Sequence, residues 1–441
     1  VIKKIIVSVT GFFFTYWASG QDSSGWYSLH FQLTTVTQNH QTIKAPYSGP
    51  KSLQEKEKPA TSLTATVFAG IKLFKNTSVF VNPEMAGGEG MSGATGIAGF
   101  PNGETFRVGS TKPVIYLARF YLQHLIPLGS ERQWTGDDAN SIAGFTPKKY
   151  IGLYAGKLSL GDFFDGNSYS HDPRSQFLNW SLMSAGAYDY AADVRGYTYS
   201  FVAEYVSPEW EARIATALLP KEANGATLDW KYSKSFSWQG EVVRKWNDQH
   251  LRTTVVHLIG FFNRSRMGNY KMALDYTVPD VVATRMYSRN KWGWVINAEK
   301  QLGKSGGAFG RLSWNDGKNE TWCFTEIDQS ASFGYVLKGD GWKRSDDEIG
   351  LAFIANGISK DHQNFLKAGG SGFIIGDGQL NYAPELIAEM EEVFSSAAVR
   401  VLYGPTEATI ICASYEVNRG EGVRGQMVGR PLRNVLLRVL D

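Results

Sequence analysis

The stretch Tyr197-Thr-Tyr-Ser-Phe-Val-Ala-Glu-Tyr205 decides the fold class. Side chains two apart on an extended strand share a face. One face here carries Tyr197, Tyr199, Phe201, Ala203 and Tyr205; the other carries Thr198, Ser200, Val202 and Glu204. Working outward, the same period of two recurs. From Lys291 to Leu302, Trp292, Trp294, Ile296 and Ala298 oppose Gly293, Val295, Asn297 and Glu299. Gly310, Leu312 and Trp314 oppose Arg311 and Ser313, while Tyr116, Ala118, Phe120 and Leu122 oppose Leu117, Arg119 and Tyr121. Turn signals separate these runs: Glu222-Ala-Asn-Gly225, Lys304-Ser-Gly-Gly307, Asn315-Asp-Gly317 and Lys338-Gly-Asp-Gly341. Alternation between turns predicts an all-β, antiparallel chain from Trp26 to about Asn381.

Periodicity alone fits two architectures. A soluble sandwich buries its apolar face against a second sheet. A membrane barrel turns that face to lipid, marks both interfaces with aromatics and wets its polar face inside. Several runs carry Tyr, Trp or Phe on the apolar face, with Arg, Glu, Asn or Ser opposite. No repeat at a propeller period is present.

Composition narrows the classes. The 441 residues include 25 Phe, 13 Trp and 21 Tyr, so aromatics make up 13% of the chain. Such a chain is not globally disordered. Gly stands at 47, where average usage would give roughly 31. Lys and Arg number 45 against 42 Asp and Glu, a net charge of +3. No strong global field draws in nucleic acid. Cys323 and Cys412 are the only cysteines, too few for a disulfide framework or a four-thiolate zinc site.

Val1-Ile2-Lys3-Lys4 is a basic start, followed by an uncharged run from Ile5 to Trp17 and then Ala18-Ser19-Gly20. That order predicts a secretory signal peptide over residues 1–20. Thirteen uncharged residues fall short of the roughly 20 needed for a spanning helix.

Asn82-Pro-Glu-Met-Ala-Gly-Gly-Glu-Gly-Met-Ser-Gly-Ala-Thr-Gly-Ile-Ala-Gly-Phe-Pro-Asn-Gly-Glu-Thr-Phe-Arg107 resembles the Gly-rich signature of the carbohydrate-selective porin family. Ala45-Pro-Tyr-Ser-Gly-Pro50-Lys-Ser-Leu53, Ser313-Trp-Asn-Asp-Gly317, Gly350-Leu-Ala-Phe-Ile-Ala-Asn-Gly357 and Phe373-Ile-Ile-Gly-Asp-Gly-Gln-Leu-Asn-Tyr-Ala-Pro-Glu385 extend the resemblance in family order over about residues 26–385. The resemblance implies an outer-membrane barrel of about sixteen strands over residues 21–383, passing sugars by diffusion. Its partners would be mono- or oligosaccharides and outer-membrane lipid, with no nucleic acid, no metal and no cofactor. Homo-oligomerisation is left open.

Residues 384–441 depart from that pattern. Val399-Arg-Val-Leu-Tyr-Gly-Pro-Thr-Glu-Ala-Thr409 resembles a core motif of peptide-synthetase adenylation domains. The resemblance would place acyl-adenylate contact on Thr406 and magnesium on Glu407. The phosphate loop, the later nucleotide motif and the catalytic Lys of that family have no counterpart here. The expected junction lies near Asn381–Glu385, and an enzyme is not expected. Two alternatives stand beside the porin: a non-functional hybrid whose barrel stays open, and an adenylate-forming fragment carried by the tail.

Gly88-Glu-Gly90-Met-Ser-Gly93 satisfies G-x-G-x-x-G by letters. Its Gly-rich continuation to Pro101-Asn-Gly103 predicts a loop where a dinucleotide site needs a helix. Gly303-Lys-Ser-Gly-Gly307 likewise reads as a hairpin turn rather than a nucleophile elbow. The alternation points Arg119, Glu299 and Arg311 into the lumen, and Glu104 and Arg107 sit in or beside the Gly-rich loop. Sugars are neutral polyols, so a constriction would grip them with Arg donors, Glu acceptors and aromatic faces, weakly enough for release. The five residues line such a constriction, or they are wet wall residues whose pairing stiffens the barrel.

Overall fold

The computed structural model describes residues 25–43, 51–105, 111–249, 252–345 and 347–375, with no side-chain description for 97 and 98. The expected leader, the tail with Thr406 and Glu407, and Arg107 lie outside them.

Thirteen strands form one antiparallel meander. In chain order they begin with β1 (Tyr27–Gln38), β2 (Ala60–Phe74), β3 (Thr77–Gly88) and β4 (Val114–Pro127). A separate hairpin follows, β5 (Arg132–Thr135) with β6 (Gly144–Pro147). The meander resumes with β7 (Tyr150–Leu158), β8 (Thr198–Val206), β9 (Trp210–Ala217), β10 (Phe236–Asn247) and β11 (Thr253–Ser265). It ends with β12 (Arg289–Leu302), β13 (Gly306–Asn315), β14 (Gln329–Lys338) and β15 (Glu348–Gly357). About sixteen strands were expected; among the described residues thirteen share this sheet, and β1 and β15 each pair on one side only. Short helices α1 (Trp180–Met183) and α2 (Tyr270–Ala273) lie in connections, and α3 (Lys360–Lys367) follows β15. No helix among the described residues is long and apolar enough to cross a membrane.

The sheet is inside-out. On β11 and β12, Leu258 and Trp292 are 54% and 49% exposed, whereas Asn263 and Asn297 are fully buried. Phe201, Leu312, Phe333 and Leu351 are exposed, and Glu204, Glu241, Arg311 and Ser332 are buried. Water does not favour this distribution, but hydrocarbon outside and a polar interior do. Exposed Trp238 and Trp246 sit eight residues apart on β10. That spacing is roughly 26 Å along a strand, matching an apolar band of about 25 Å between aromatic girdles.

Two expected faces are corrected. Tyr197, assigned to the apolar face, precedes β8, is buried, and donates its hydroxyl to Glu84 at 3.1 Å. In β4 the register slips opposite Asn82/Pro83: Asn82 pairs with Arg119 and Pro83 with Leu117. Ala118 is therefore an extra residue, and a bulge reverses the alternation on one side of it. Tyr116 turns inward to bond Glu84, and Leu117 turns outward. Pro83 lacks the ladder donor, which gives the bulge its place.

Antiparallel succession sorts the connections by end. Residues 75–76, 207–209, 248–252, 303–305 and 339–347 make short connections at one end, which also holds the 128–149 connection with the β5–β6 hairpin. Asn76, with φ of 61°, supplies the left-handed position of the tightest one. Residues 39–59, 89–113, 159–197, 218–235, 266–288 and 316–328 make longer connections at the other end. Outer-membrane barrels keep their turns periplasmic and their long loops outside.

Several long connections fold inward. Within 89–105 the chain makes only 3-10 turns, as the Gly-rich run predicted. Gly88 has φ of +91°, and a Cβ there would meet the Thr61 carbonyl at 2.1 Å. Trp322, Leu160, Phe164, Tyr188 and Leu219 form an apolar cluster with inner-wall Val202, Ile259 and Val295. The Asp189 carboxylate accepts from the N–H groups of Trp322, Cys323 and Phe324 at 2.8–3.0 Å, joining two of these loops. Ser359 caps α3, and buried His362 on that helix stacks on Tyr270 at 4.1 Å and reaches Asp328, which also pairs with Lys291 at 3.3 Å.

The inverted face sets an expected outcome. Leu258→Arg should lower folding stability in lipid vesicles by about 2–4 kcal/mol, measured by urea titration. On a water-facing surface the same change would stay within about 0.5 kcal/mol.

Candidate functional site

An ionic and aromatic cluster gathers where the inner faces of β1 to β4 meet the loops 89–105 and 159–197. Glu84 on β3 is its centre. Its carboxylate accepts from Thr66 on β2, from Tyr116 on β4 and from Tyr197 beside β8, at 2.5 Å, 2.5 Å and 3.1 Å. Arg119 and Asp162 form a two-pronged pair at 2.7 and 2.6 Å, with the guanidinium carbon 5.1 Å from the Tyr197 ring centre. Arg195 lies 4.1 Å over the Tyr116 ring. From the loops, Glu104 pairs with Arg174 at 3.0 Å, and Arg174 also donates to Gln32 on β1.

Local chemistry places these groups. The β4 bulge lets both Tyr116 and Arg119 face inward despite their odd spacing. Glu104 is set by Asn102, whose side chain accepts the Glu104 N–H at 2.9 Å and donates to Gln38 and Ser62 of the wall. Loop is tied to loop by Gly103 N–H to the Leu178 carbonyl and Trp180 N–H to that of Phe100, at 2.8 and 3.0 Å.

Three guanidinium groups (Arg119, Arg174, Arg195) face three carboxylates (Glu84, Glu104, Asp162). Fully ionised, the cluster sums to zero and favours neither cation nor anion. Burial pushes the Glu104 carboxyl above its ordinary range, and Arg174 pulls it only part of the way back. Burial also depresses Arg174, but the negative charges of Glu104 and Glu84 outweigh it and hold that guanidinium above its usual value.

Of the expected site residues, Glu104 and Arg119 come together here. Glu299 and Arg311 do reach the inner face, but the loop 159–197 covers them. Ser168 bonds Glu299 through both its N–H, at 2.5 Å, and its hydroxyl, at 2.7 Å. Arg311, 2% exposed, meets the Asp165 carboxylate at 3.0 Å and the Leu182 carbonyl at 2.9 Å. Asn297 donates to Asp165 at 2.7 Å and Glu241 accepts the Asp165 N–H at 3.0 Å. These wall residues clamp the loop. Arg107 lies outside the described residues.

Sequence reasoning missed Glu84, Tyr116, Asp162, Arg174, Arg195 and Tyr197. One signal was available for four of them: residues 159–197 separate two strands by far more than the usual handful, and such long loops are commonly functional.

The family model described as "Carbohydrate-selective porin, OprB family" matches residues 65–390. The chain belongs to this family. The match runs a few residues past the expected junction at Asn381–Glu385. Among solved structures, the fold is similar to "High pH structure of Pseudomonas putida OprB", with a TM-score of 0.54 at 12% identity, covering 87% of this chain and 85% of that one. "Salmonella typhi OmpF complex with Daunomycin" aligns at a TM-score of 0.32 and 8% identity over 77% of this chain and 93% of that one. No curated protein sequence matches. This porin is an all-β outer-membrane protein whose strands, not helices, cross the bilayer.

Two outcomes follow for the porin. Arg311→Leu leaves Asp165 buried without its partner and should cost about 3–5 kcal/mol. Limited proteolysis would then cut within 159–197 before the barrel unfolds, and Arg311→Leu with Asp165→Asn should recover part of the loss. Because burial raises the Glu104 carboxyl, lowering the pH from neutral should protonate it before an ordinary carboxyl. Neutral Glu104 leaves Arg174 uncompensated, so reversal potentials should move toward anion selectivity, and Glu104→Gln should show that selectivity already at neutral pH.

Proposed function

We propose that the porin passes mono- or oligosaccharides by passive diffusion and that the Glu84–Arg119–Arg174 cluster is its constriction. The carrying observation is the charge-balanced mixture of ion pairs and tyrosine rings, with Asp162, Arg174 and Arg119 still partly open to solvent. A sugar hydroxyl both donates and accepts, so it can exchange for one half of an Arg–carboxylate contact without stranding a buried charge. Tyr116 and Tyr197 offer rings for the C–H face of a pyranose. Each exchanged hydrogen bond is worth about 0.5–1.5 kcal/mol. Two or three therefore give millimolar binding or weaker, since 1 mM corresponds to about 4 kcal/mol. Such a site delays a sugar without trapping it, and the solute gradient supplies the direction. Glu299 and Arg311 serve as loop clamps in this reading, while Glu104 and Arg119 touch the solute. No chemical step or cofactor is involved.

Proteoliposome swelling tests the reading. Arg119→Ala and Arg174→Ala should each change the rate for a sugar relative to a salt of equal size by at least threefold. Glu299→Gln should leave that ratio unchanged. Equal effects on sugar and salt in the Arg variants would remove the selectivity claim.

A further inference from the structure

The outer rim at the long-loop end carries cations without partners. The loop between β9 and β10 turns outward over the wall, where Trp230 packs on outward-facing Tyr199 at 4.9 Å. Tyr232 reaches Thr216 and packs on Phe236 at 5.5 Å, and Phe236 neighbours Phe262 at 6.2 Å. An aromatic shelf thus extends the lipid-facing surface to its upper edge.

Four cations border the shelf. Arg264 stands opposite Phe236 in the β10–β11 register. Lys234 lies 5.7 Å from the Tyr287 ring centre, and exposed Arg266 directly follows the last residue of β11. Lys231 is exposed beside Trp230. The one carboxylate there, buried Asp229, is taken by the Tyr287 hydroxyl at 2.9 Å and the Lys231 N–H at 3.1 Å. None of the four cations forms an ion pair among the described residues. The Nε of Arg264 is shielded from water and has no hydrogen-bond partner. A buried donor left unmatched in a native structure calls for an absent acceptor.

At the opposite rim some cations are paired and others, such as Lys75 and Lys304, form no ion pair among the described residues. There Arg244 pairs with Glu209, Lys245 with Glu211, Arg252 with Asp248 and Lys148 with Glu131. Lys231, Lys234, Arg264 and Arg266 stand at the loop end, where outer-membrane barrels face the outer leaflet.

We propose that Lys231, Lys234, Arg264 and Arg266, with the shelf of Trp230, Tyr232 and Phe236, bind a phosphorylated, acylated glycolipid of the outer leaflet. Its phosphates would meet the guanidinium and ammonium groups, as anionic headgroups meet basic clusters at a membrane surface. Its acyl chains would lie against the aromatic shelf, the usual place of Trp and Tyr at the headgroup level.

Native mass spectrometry of the detergent-solubilised porin tests this with three probes: diphosphorylated lipid A, the same lipid stripped of its phosphates, and inorganic pyrophosphate. The diphosphorylated lipid should bind at least tenfold more tightly than either of the others. Combined Lys231→Gln, Lys234→Gln, Arg264→Gln and Arg266→Gln should remove that advantage, and Arg244→Gln with Arg252→Gln on the other rim should not. Heat-modifiable gel migration checks that each variant is folded. Should the fourfold variant not fold, Lys231→Gln with Arg266→Gln, both exposed, should still cost at least threefold. Unchanged affinity in the folded variants, equal binding of the stripped lipid, or equal binding of pyrophosphate would each overturn the proposal.

Discussion

Inter-strand backbone pairing is the constraint on which the rest of this porin depends. In hydrocarbon an unpaired N–H or C=O has no water to turn to, so the chain must satisfy its ladder within the sheet. Neighbour-to-neighbour antiparallel pairing does this for the strands between β1 and β15. Once the ladder is held, each strand presents one face to lipid and one to the interior. Leu, Ile, Phe and Trp on the first and Asn, Glu, Ser and Arg on the second follow from that division. The same division explains why ordinary burial logic is inverted, with Arg311 and Lys291 among the most enclosed side chains and Leu258 among the exposed ones.

The interior is not simply wet. Loops folded inward bring apolar residues such as Trp322 and Tyr188, and these pack on inner-wall Ile259, Phe261 and Val295. A loop can stay there only if its backbone polar groups find partners, and the wall supplies them. Asn297, Glu299, Arg311 and Glu241 each bond the loop 159–197. Charged residues of the wall and the inward loops therefore divide into two roles. Some are consumed in holding loops, and others, such as Arg119 and the Glu104–Arg174 pair, retain access to solvent beside the tyrosines.

Much of the architecture was legible from side-chain period alone. The alternation in β8, β12 and β13 assigned inner and outer faces correctly for Phe201, Trp292, Trp294, Asn297, Arg311 and Leu312. Gly-rich residues 88–103 read as a loop, and Gly303–Gly307 as a hairpin turn, because glycine and turn chemistry act within a few residues. Period failed at Tyr197 and in β4. A bulge adds one residue, so every position on one side of it changes face, and nothing local announces it beyond a proline on the neighbouring strand.

The candidate site was less legible. Glu104 and Arg119 were named from the sequence, but the neighbours the fold gives them, Glu84, Asp162, Arg174, Arg195 and Tyr197, come from β3, one long loop and the edge of β8. Sequence determined the all-β class, the inverted faces, the turns and the family, because each rests on spacing within a strand or on a contiguous motif. Tertiary structure alone decided which charges meet. Whether an inward Arg or Glu clamps a loop or faces the lumen depends on where the residues 159–197 fold across the barrel. That path is set by donors and acceptors on strands 76 to 146 residues away in the chain.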